Sequence, residues 1–579
     1  MLSGLVLAAA LVTAPSAPAA IDTAGAKATI KAIEKLHPVG QKQAEEIAGR
    51  TAQVVAARRA HHDLAPVAEQ QDSGDWQVGF VGDGKELVQV VVDDATGQVR
   101  ETWTGYQVAW RMARGYDGAF GRKVNAPYIW LPLCAIFVIG LFDWRRPLRP
   151  ANLDLLVLTG GFGVSHFFFN NGEIGVSVPL VYPVLLYLLG RALWMGFRGC
   201  PGLRPTIPVT WLAIGVLFLI GFRVGLNIAD SNVIDVGYSG VVGADKIADG
   251  DTLYGNFPSN DLRGDTYGPV AYYAYVPFEQ AFPWSGNWDD LPAAHAAAIF
   301  FDLATIAGLF LLGRRLRHGQ AGKDLGIILA FAWAACPYTT FALESNTNDS
   351  LVAALLVATM LVLSSPAKRG VTLALSSATK FAPLPLAPLF ATYVPPAKVA
   401  ESFEVASNAG ARTSAPNGAG ASRFSVTGPA GRAVGVFSIA FAVTLVIVMA
   451  QTLFDPGIGT FIDRTIDFQS GRDSPFSIWG QVDLGPLRTI VLASAGVLAS
   501  AVAFLPRHKT PETVAALAAA VLIAFQLTVE HWFYLYVPWF FGLYVVAMVA
   551  GVAPQPVRVK ERKRRWALRP AALRAPAPR

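Results

Sequence analysis

Two aspartates lie at the start of the longest polar loop between apolar blocks of this sequence, residues 229–291. Asp230 and Asp235 follow directly on an apolar block that ends near residue 228. A carboxylate at the end of a membrane helix can act as a general base on a hydroxyl group of a bound acceptor, if partial burial raises its pKa. Proton abstraction is therefore the chemistry that these two residues indicate.

Aromatic residues are frequent in the same stretch, and they allow two interpretations. Their rings are suited to stack on sugar rings, but rings at this position also anchor proteins at the membrane interface. For a single ring, the interfacial role is the more common one. The residues concerned are Tyr238, Tyr254, Tyr267, Tyr272, Tyr273, Trp284 and Trp288.

Three of the charged residues inside apolar blocks are candidates for a functional role or for ion pairing. Lys380 is at the centre of block 371–394, in the run ATKFAP (378–383). Because a charge in hydrocarbon is costly and proline breaks helices, this run predicts the tip of a broken hairpin with a functional lysine. Arg223 and Asp302 lie in two other blocks. Asp302 is either a functional residue or the partner of a basic residue on a neighbouring helix.

The composition places much of the chain in lipid. Of the 579 residues, 53% are hydrophobic and 15% are charged, and the mean hydropathy is +0.40. A soluble protein would carry about 25% charged residues. The net charge of +6 comes from Lys and Arg clusters between apolar blocks, so it indicates membrane topology and needs no nucleic-acid partner. The three cysteines have no metal-ligand spacing, and neither a metal site nor a cofactor is expected.

Twelve apolar blocks predict a mainly α, polytopic transmembrane bundle of about 12–13 segments in the cell membrane, in contact with membrane lipids. Basic clusters follow alternate blocks, and the positive-inside rule makes them cytoplasmic once block 371–394 is a hairpin. The stretch 229–291 then faces away from the cytoplasm, and residues 554–579 form a basic cytoplasmic tail. The blocks are 128–142, 152–169, 179–197, 208–228, 293–312, 324–343, 350–364, 371–394, 433–454, 488–505, 511–529 and 533–553.

The N-terminal part has a different character. Residues 1–20 contain an apolar run and an Ala17-Pro18-Ala19 site, which indicate either a cleavable signal peptide or an uncleaved anchor. Residues 21–125 read as an exported α+β domain, with an amphipathic helix from 21 to about 57 and then alternating strands. The turn Asp94-Ala95-Thr96-Gly97 predicts a hairpin with Gly97 at positive φ. The stretch from Asp94 to Val99 resembles a PepSY-type domain, which implies a regulatory or binding module.

Residues 205–553 contain an ordered series of short motifs that resembles the GT-C glycosyltransferases. The similarity is greatest to family 87, whose members are polyprenol-phosphate-mannose-dependent mannosyltransferase-like enzymes. Additional transmembrane helices in residues 126–204 precede this core. The motif residues are Asp235, Tyr238, Gly250, Tyr254, Gly255, Tyr267, Gly268, Pro269, Asn346, Asn348, Asp349, Lys380, the run 468–480 and His531.

The resemblance implies an inverting transfer of mannose or a similar sugar from a polyprenyl-phosphate donor to an extracytoplasmic lipid or glycan acceptor. Asp235 is the expected general base, because Tyr and Gly follow it at the matching spacing, and Asp230 is the second candidate. Lys380, Arg464 and Arg472 are the candidates to bind the donor phosphate. His531 is the candidate to donate to the leaving phosphate. The expected substrate-binding residues are Tyr238, Tyr254, Tyr267, Asn346, Asn348, Asp349 and His295.

Two other functions use similar features. A transporter or lipid flippase also needs many helices and buried charges, but it usually shows internal repeats and charge at the membrane midplane. A sensor would need a sizeable cytoplasmic output domain. Nucleotide hydrolysis, zinc proteolysis and common serine hydrolysis lack their motifs in this sequence.

Overall fold

The computed structural model divides the chain into two compact units, Met1–Arg114 and Gly115–Arg579. The boundary predicted from the sequence between the exported domain and the membrane part, after residue 125, lies later in the chain than this division. Both the predicted signal peptide or anchor and the predicted basic tail lie outside the described residues. The structure describes residues 39–71, 73–115, 120–199, 202–288, 291–395, 429–472 and 474–551.

In the first unit, two short helices pack on a four-stranded antiparallel sheet with the order β1-β2-β3-β4. Alternate residues of the central strands, among them Val78, Phe80, Val88 and Val90, are buried in a common core with Ala44 of the first helix. This alternation is what a sheet with one covered face requires. The elements are α1 (Gln41–Gly49), α2 (Ala52–Ala60), β1 (Ala65–Gln70), β2 (Trp76–Gly82), β3 (Lys85–Val92) and β4 (Val99–Thr104).

The sequence predicted this unit in part. The turn before β4 has Gly97 at φ +68°, as predicted. The predicted single helix is interrupted between α1 and α2, where the Thr51 hydroxyl donates to the carbonyl oxygen of Ala48 over 2.8 Å. Strand β1 was not predicted, because it contains Pro66 and none of its residues is buried.

The second unit is helical, and each of the twelve apolar blocks coincides with one helix or with two shorter helices. Its main helices are α3 (Pro127–Leu141), α4 (Pro150–Asn170), α5 (Ile174–Arg198), α6 (Val209–Asp230), α7 (Asp235–Asp249), α8 (Pro292–Leu316), α9 (Gly319–Ala335), α10 (Pro337–Glu344), α11 (Asp349–Leu361), α12 (Pro366–Ser377), α13 (Ala387–Thr392), α14 (Ala430–Ser470), α15 (Gly485–Phe504), α16 (Pro511–Gln526) and α17 (Val537–Ala550). Short helical turns connect several of them, including Arg122–Asn125, Val270–Tyr273, Val276–Ala281 and Tyr534–Tyr536.

Six described helices are each long and apolar enough to cross a membrane, which is compatible with a multi-pass membrane protein. These are α4, α5, α6, α8, α14 and α15. Helices α9 and α10 meet at a bend of 58° and together would make a seventh span. The remaining apolar helices are shorter, so the number of twelve to thirteen segments stays a prediction.

Block 371–394 is broken where its Lys and Pro residues predicted a break. Helix α12 ends at Ser377, and helical backbone resumes at Leu384. At this break, the backbone oxygens of Ala378 and Thr379 accept hydrogen bonds from the amides of Val270 and Gly268, respectively. A Cβ atom at Gly268 would lie 2.0 Å from the Ala378 oxygen, so the approach needs a glycine. The Tyr-Gly-Pro motif thereby packs against the motif that contains Lys380.

The polar stretch 229–291 combines short helices with irregular backbone. It contains α7 and two short helices, and its tyrosines Tyr238, Tyr254, Tyr272 and Tyr275 form a buried cluster with residues of α8. A loop of this length needs such a core of its own to hold a fixed shape. The stretch is therefore a structured element against which side chains can be positioned.

Candidate functional site

Asp235 is the first residue of α7, and its backbone is fixed from two sides. The preceding loop pairs with the end of α10, where the amides of Asn232 and Ile234 donate to the carbonyl oxygens of Glu344 and Ser345. One carboxylate oxygen of Asp235 accepts from the amide of Val236 over 2.9 Å. A negative charge in the first turn also interacts favourably with the helix dipole.

The Asp235 carboxylate lies deep among protein atoms, yet the residue keeps an exposed surface. A residue that is exposed but has many protein atoms around it lies in a recess of the surface, here called the cleft. Desolvation by the surrounding protein raises the pKa of Asp235, while the Val236 amide and the positive charges of Arg472 and Lys380 act in the opposite direction. A carboxylate in this state is a stronger base than one in water.

Lys380 reaches the same cleft from the break after α12. Its ammonium lies 2.5 Å from an oxygen of Asp349 and is flanked by the rings of Tyr267 and Trp539, at 5.2 and 5.3 Å from their centroids. The indole nitrogen of Trp539 donates to the same Asp349 oxygen over 2.8 Å. The Lys380 ammonium is therefore held by one carboxylate and two aromatic rings.

Next to this pair, several polar atoms are buried without a hydrogen-bond partner among the described residues. They are the second carboxylate oxygen of Asp349 and both side-chain atoms of Asn348. Buried polar atoms are almost always hydrogen-bonded in folded proteins. Asn348 and Asp349 thus offer donors and acceptors of the kind that bind hydroxyl groups.

Arg472 and His531 complete the group. Arg472 is half-buried and acts electrostatically on Asp235, Tyr267 and His531. The Nδ1 atom of His531 lies 2.8 Å from the hydroxyl oxygen of Ser474. Burial, and then the charge of Arg472, lowers the pKa of His531 well below its ordinary value. The imidazole is consequently neutral near pH 7, where it can donate a hydrogen bond but carries no charge.

Two predicted site residues are engaged elsewhere. Asp230 forms an ion pair with Lys123. The guanidinium of Arg464 binds the buried carboxylate of Asp265 over 2.6 Å and also donates to the Leu262 carbonyl oxygen. Since both charges are already compensated by these partners, neither residue joins the Asp235 group.

The other expected substrate-binding residues mainly support the cleft. Tyr254 is buried, and its hydroxyl donates to the Tyr267 carbonyl oxygen over 2.9 Å. Tyr238 is buried as well, and its ring stacks on Trp288 with a centroid distance of 4.4 Å. Tyr267 remains partly accessible and borders Lys380.

Asn346 and His295 belong to a hydrogen-bonded network behind the loop that leads to Asp235. The amide nitrogen of Asn346 donates to the Ser231 hydroxyl and to the Asn232 carbonyl oxygen. The Nδ1 atom of His295 lies 3.0 Å from an oxygen of Asn227 and 3.2 Å from the Ser231 hydroxyl. Both residues hold this loop in place.

A further carboxylate, Asp261, lies close to this group. Its carboxylate accepts a hydrogen bond from the Ser239 hydroxyl over 2.7 Å. Ser239 lies one helical turn after Asp235 in α7. Burial, together with the negative charges of Asp235 and Asp265, raises the pKa of Asp261 to about 7. This residue changes its protonation state in the physiological range.

Sequence reasoning missed three contributors to the site. Tyr536 interacts electrostatically with Arg472, Asp349 and Asp235, although only its neighbour His531 was singled out in the run EHWFYLYVP. Trp539 follows just beyond that run, and its indole is recognisable as functional only through its bond to Asp349. Asp261 stands in a polar segment that has no motif.

The described residues contain no group of three or more His, Cys, Asp or Glu side chains that could hold a metal ion. The sequence matches no known family model and no curated protein. What the site can do therefore rests on its own chemistry: an accessible carboxylate, the cationic groups of Lys380 and Arg472 near it, and buried polar atoms of Asn348 and Asp349 without a partner among the described residues.

Proposed function

We propose that this protein is an integral membrane glycosyltransferase with a GT-C-like bundle of about 12–13 membrane segments. It transfers mannose or a similar sugar from a polyprenyl-phosphate donor to a lipid or glycan acceptor on the extracytoplasmic face. The observation that carries the proposal is the position of Asp235, an accessible carboxylate with a raised pKa opposite Lys380 and Arg472. A base and a pair of cations in one cleft are what transfer from a phosphate-linked donor requires.

In the proposed reaction, Asp235 takes the proton of the acceptor hydroxyl as its oxygen attacks the anomeric carbon of the donor sugar. The bond between that carbon and the phosphate oxygen breaks, and the polyprenyl phosphate leaves with the bonding electrons. Attack from the face opposite the phosphate inverts the anomeric configuration. The proton remains on Asp235 until water accepts it.

Lys380 and Arg472 are assigned to the phosphate, whose negative charge grows as the sugar leaves. Cations fixed in a low-dielectric cleft stabilise that charge far better than cations in water. Asp349 and Trp539 hold the Lys380 ammonium in place. Asn348 and the second oxygen of Asp349 are assigned to hydroxyl groups of the bound sugar, because these atoms have no partner among the described residues.

The substitution Asp235→Asn tests the proposal, since it keeps the shape of the side chain and removes the base. We expect transfer of labelled sugar from polyprenyl phosphates to a membrane-lipid extract to fall by about 1,000-fold or more in reconstituted vesicles. Asp249→Asn, at the exposed other end of α7, is the matched control and retains activity.

Both variants must elute as the wild type in detergent and unfold at a similar temperature. Wild-type transfer by Asp235→Asn would eliminate Asp235 as the base. Movement of an intact sugar or lipid across the vesicle membrane, without transfer, would replace the enzyme by a transporter or flippase.

A further inference from the structure

Residues 120–125, here called the tether segment, have an unusual backbone at the start of the second unit. Three consecutive residues, Phe120, Gly121 and Arg122, have φ values of +46°, +71° and +47°. Only glycine adopts such values without strain, so Phe120 and Arg122 are held there by their surroundings. Strain of this kind persists only where neighbouring contacts fix the chain.

The tether segment binds the loop that leads into Asp235. The amide of Gly121 donates to the side-chain oxygen of Asn232 over 2.6 Å. Lys123 forms its ion pair with Asp230, the last residue of α6. Both contacts lie within five residues of Asp235 in the sequence. The charge of Asp230, which the sequence offers as an alternative base, is thus used to hold the tether.

The same segment also reaches the part of the chain that contains His531. The ring of Phe120 packs edge-on against Phe533, with a centroid distance of 4.9 Å, and lies 6.5 Å from the ring of Phe169. Phe533 is two residues beyond His531. One short segment therefore contacts residues that neighbour both Asp235 and His531 in the sequence.

Gly121 sits directly on the end of α10. A Cβ atom at this position would lie 2.8 Å from a methyl group of Val124 and 3.3 Å from the Cβ atom of Glu344. Glu344 also accepts, through its carbonyl oxygen, the amide of Asn232. The tether segment, the Asp235 loop and the end of α10 therefore form one packed layer.

We propose that the tether segment is a positioning element that fixes Asp235 and His531 relative to each other. Gly121 and Lys123 are positioning residues, because they act through Asn232 and Asp230 and do not themselves contact the cleft residues. Their importance for catalysis rests on the proposed function, whereas their effect on the loop does not.

The Lys123 side chain is 56% exposed, so its removal breaks the ion pair without opening a core. An exposed ion pair contributes little to global stability. Any large effect of Lys123→Ala on the site must then come from the loop that it holds.

Amide hydrogen exchange of residues 231–238 tests the tether without any assay of activity. In purified full-length protein, we expect Lys123→Ala to accelerate exchange in this segment about two- to fivefold. Lys123→Arg, which keeps the charge, restores wild-type exchange, and Asp230→Asn reproduces the effect of Lys123→Ala.

Gly121→Ala is expected to accelerate exchange in the same segment by about tenfold, because it adds backbone strain and a steric conflict. Gly199→Ala is the matched control: Gly199 has a similar φ of +74° but no atom within 4 Å of an added Cβ. This control shares the backbone strain of Gly121→Ala but lacks its steric conflict, so it should leave exchange in residues 231–238 unchanged whatever its effect on the unfolding temperature.

Kinetics complete the test. We expect Lys123→Ala and Gly121→Ala to lower kcat by factors similar to their exchange effects, with KM unchanged and with recovery in Lys123→Arg. Unchanged exchange in both variants overturns the tether, and so does faster exchange with wild-type kcat. If the wild type transfers no sugar at all, the proposed function fails, and the exchange data alone then decide whether the tether holds the loop.

Discussion

Two buried acid–base pairs in the helical unit have the same central distance and very different surroundings. Arg223 and Asp302 join α6 to α8 at 2.5 Å, and Lys380 and Asp349 join the break after α12 to α11, also at 2.5 Å. The Arg223 guanidinium additionally donates to the Ala334 carbonyl oxygen and to the hydroxyls of two threonines, Thr339 and Thr340. Trp333 donates to Asp302 just as Trp539 donates to Asp349.

The difference lies in what remains unsatisfied. Every polar side-chain atom of Arg223 and Asp302 has a partner, whereas Asp349 keeps one buried oxygen without a partner among the described residues. Asn348, next to it, keeps two such atoms. A completed pair holds helices together, whereas an incomplete pair leaves buried polar atoms whose partners are not among the described residues. Burial and pairing alone do not distinguish structure from function.

We expect the largest effect from Arg223→Met. It leaves the Asp302 carboxylate buried without its cation, which costs about 3–5 kcal/mol. We expect the variant to accumulate poorly in the membrane and to unfold at a clearly lower temperature in detergent.

The double variant Arg223→Met with Asp302→Leu should recover part of this loss, because an apolar replacement of both partners removes the unpaired charge. A single variant as stable as the wild type would show that the completed pair is not structural.

Asp349→Asn should have the opposite profile. The asparagine keeps the shape and still accepts from Trp539, and Lys380 stays within electrostatic reach of Asp235. We therefore expect a smaller loss of stability than with Arg223→Met. Lys380 then turns to Asp235 and neutralises the base, so that kcat/KM for sugar transfer falls by about 100-fold.

Thermal unfolding and transfer assays on the same preparation separate these effects. Wild-type turnover in Asp349→Asn would show that the pair of Lys380 and Asp349 has no part in sugar transfer.

The sequence predicted the helices well, because apolar length and helix breakers are local properties. Block 371–394 breaks at Lys380 and Pro383, as their cost inside a helix requires. The stretch 229–291 was understood less well, since it builds its own core from tyrosines that a sequence also allows at a membrane surface. Contacts between residues distant in the sequence decide whether such a tyrosine is in a buried core or at the membrane surface, and these contacts are not visible in the local sequence.

The same limit applies to the candidate site. The order of motifs brought Asp235, Asp349 and Lys380 to attention, and the structure gathers them in one cleft. Asp230 is also an aspartate at a helix end, but its carboxylate forms an ion pair with Lys123, which is distant in the sequence. Arg464 likewise has Asp265 as its partner. Which charges are already compensated is a tertiary property, and it separates these residues from those of the Asp235 group.

The smallest effect is expected at Asp261, where the protonation state of a carboxylate, rather than its ion pairing, changes the stability of the protein. Its pKa in the folded protein is about 7, raised from 3.8 by burial and by neighbouring acids. Folding therefore favours its protonated form, and the stability that this provides is complete below about pH 4 and is lost as the pH rises through about 7.

In Asp261→Asn this loss is absent, and the amide oxygen still accepts from Ser239. The variant should thus gain thermal stability relative to the wild type between pH 5 and pH 8, by about 1–2 °C because the site is partly exposed. Asp302→Asn, in the completed pair, should instead lower stability at both pH values. Equal pH dependence of wild type and Asp261→Asn in detergent would place Asp261 with the compensated carboxylates.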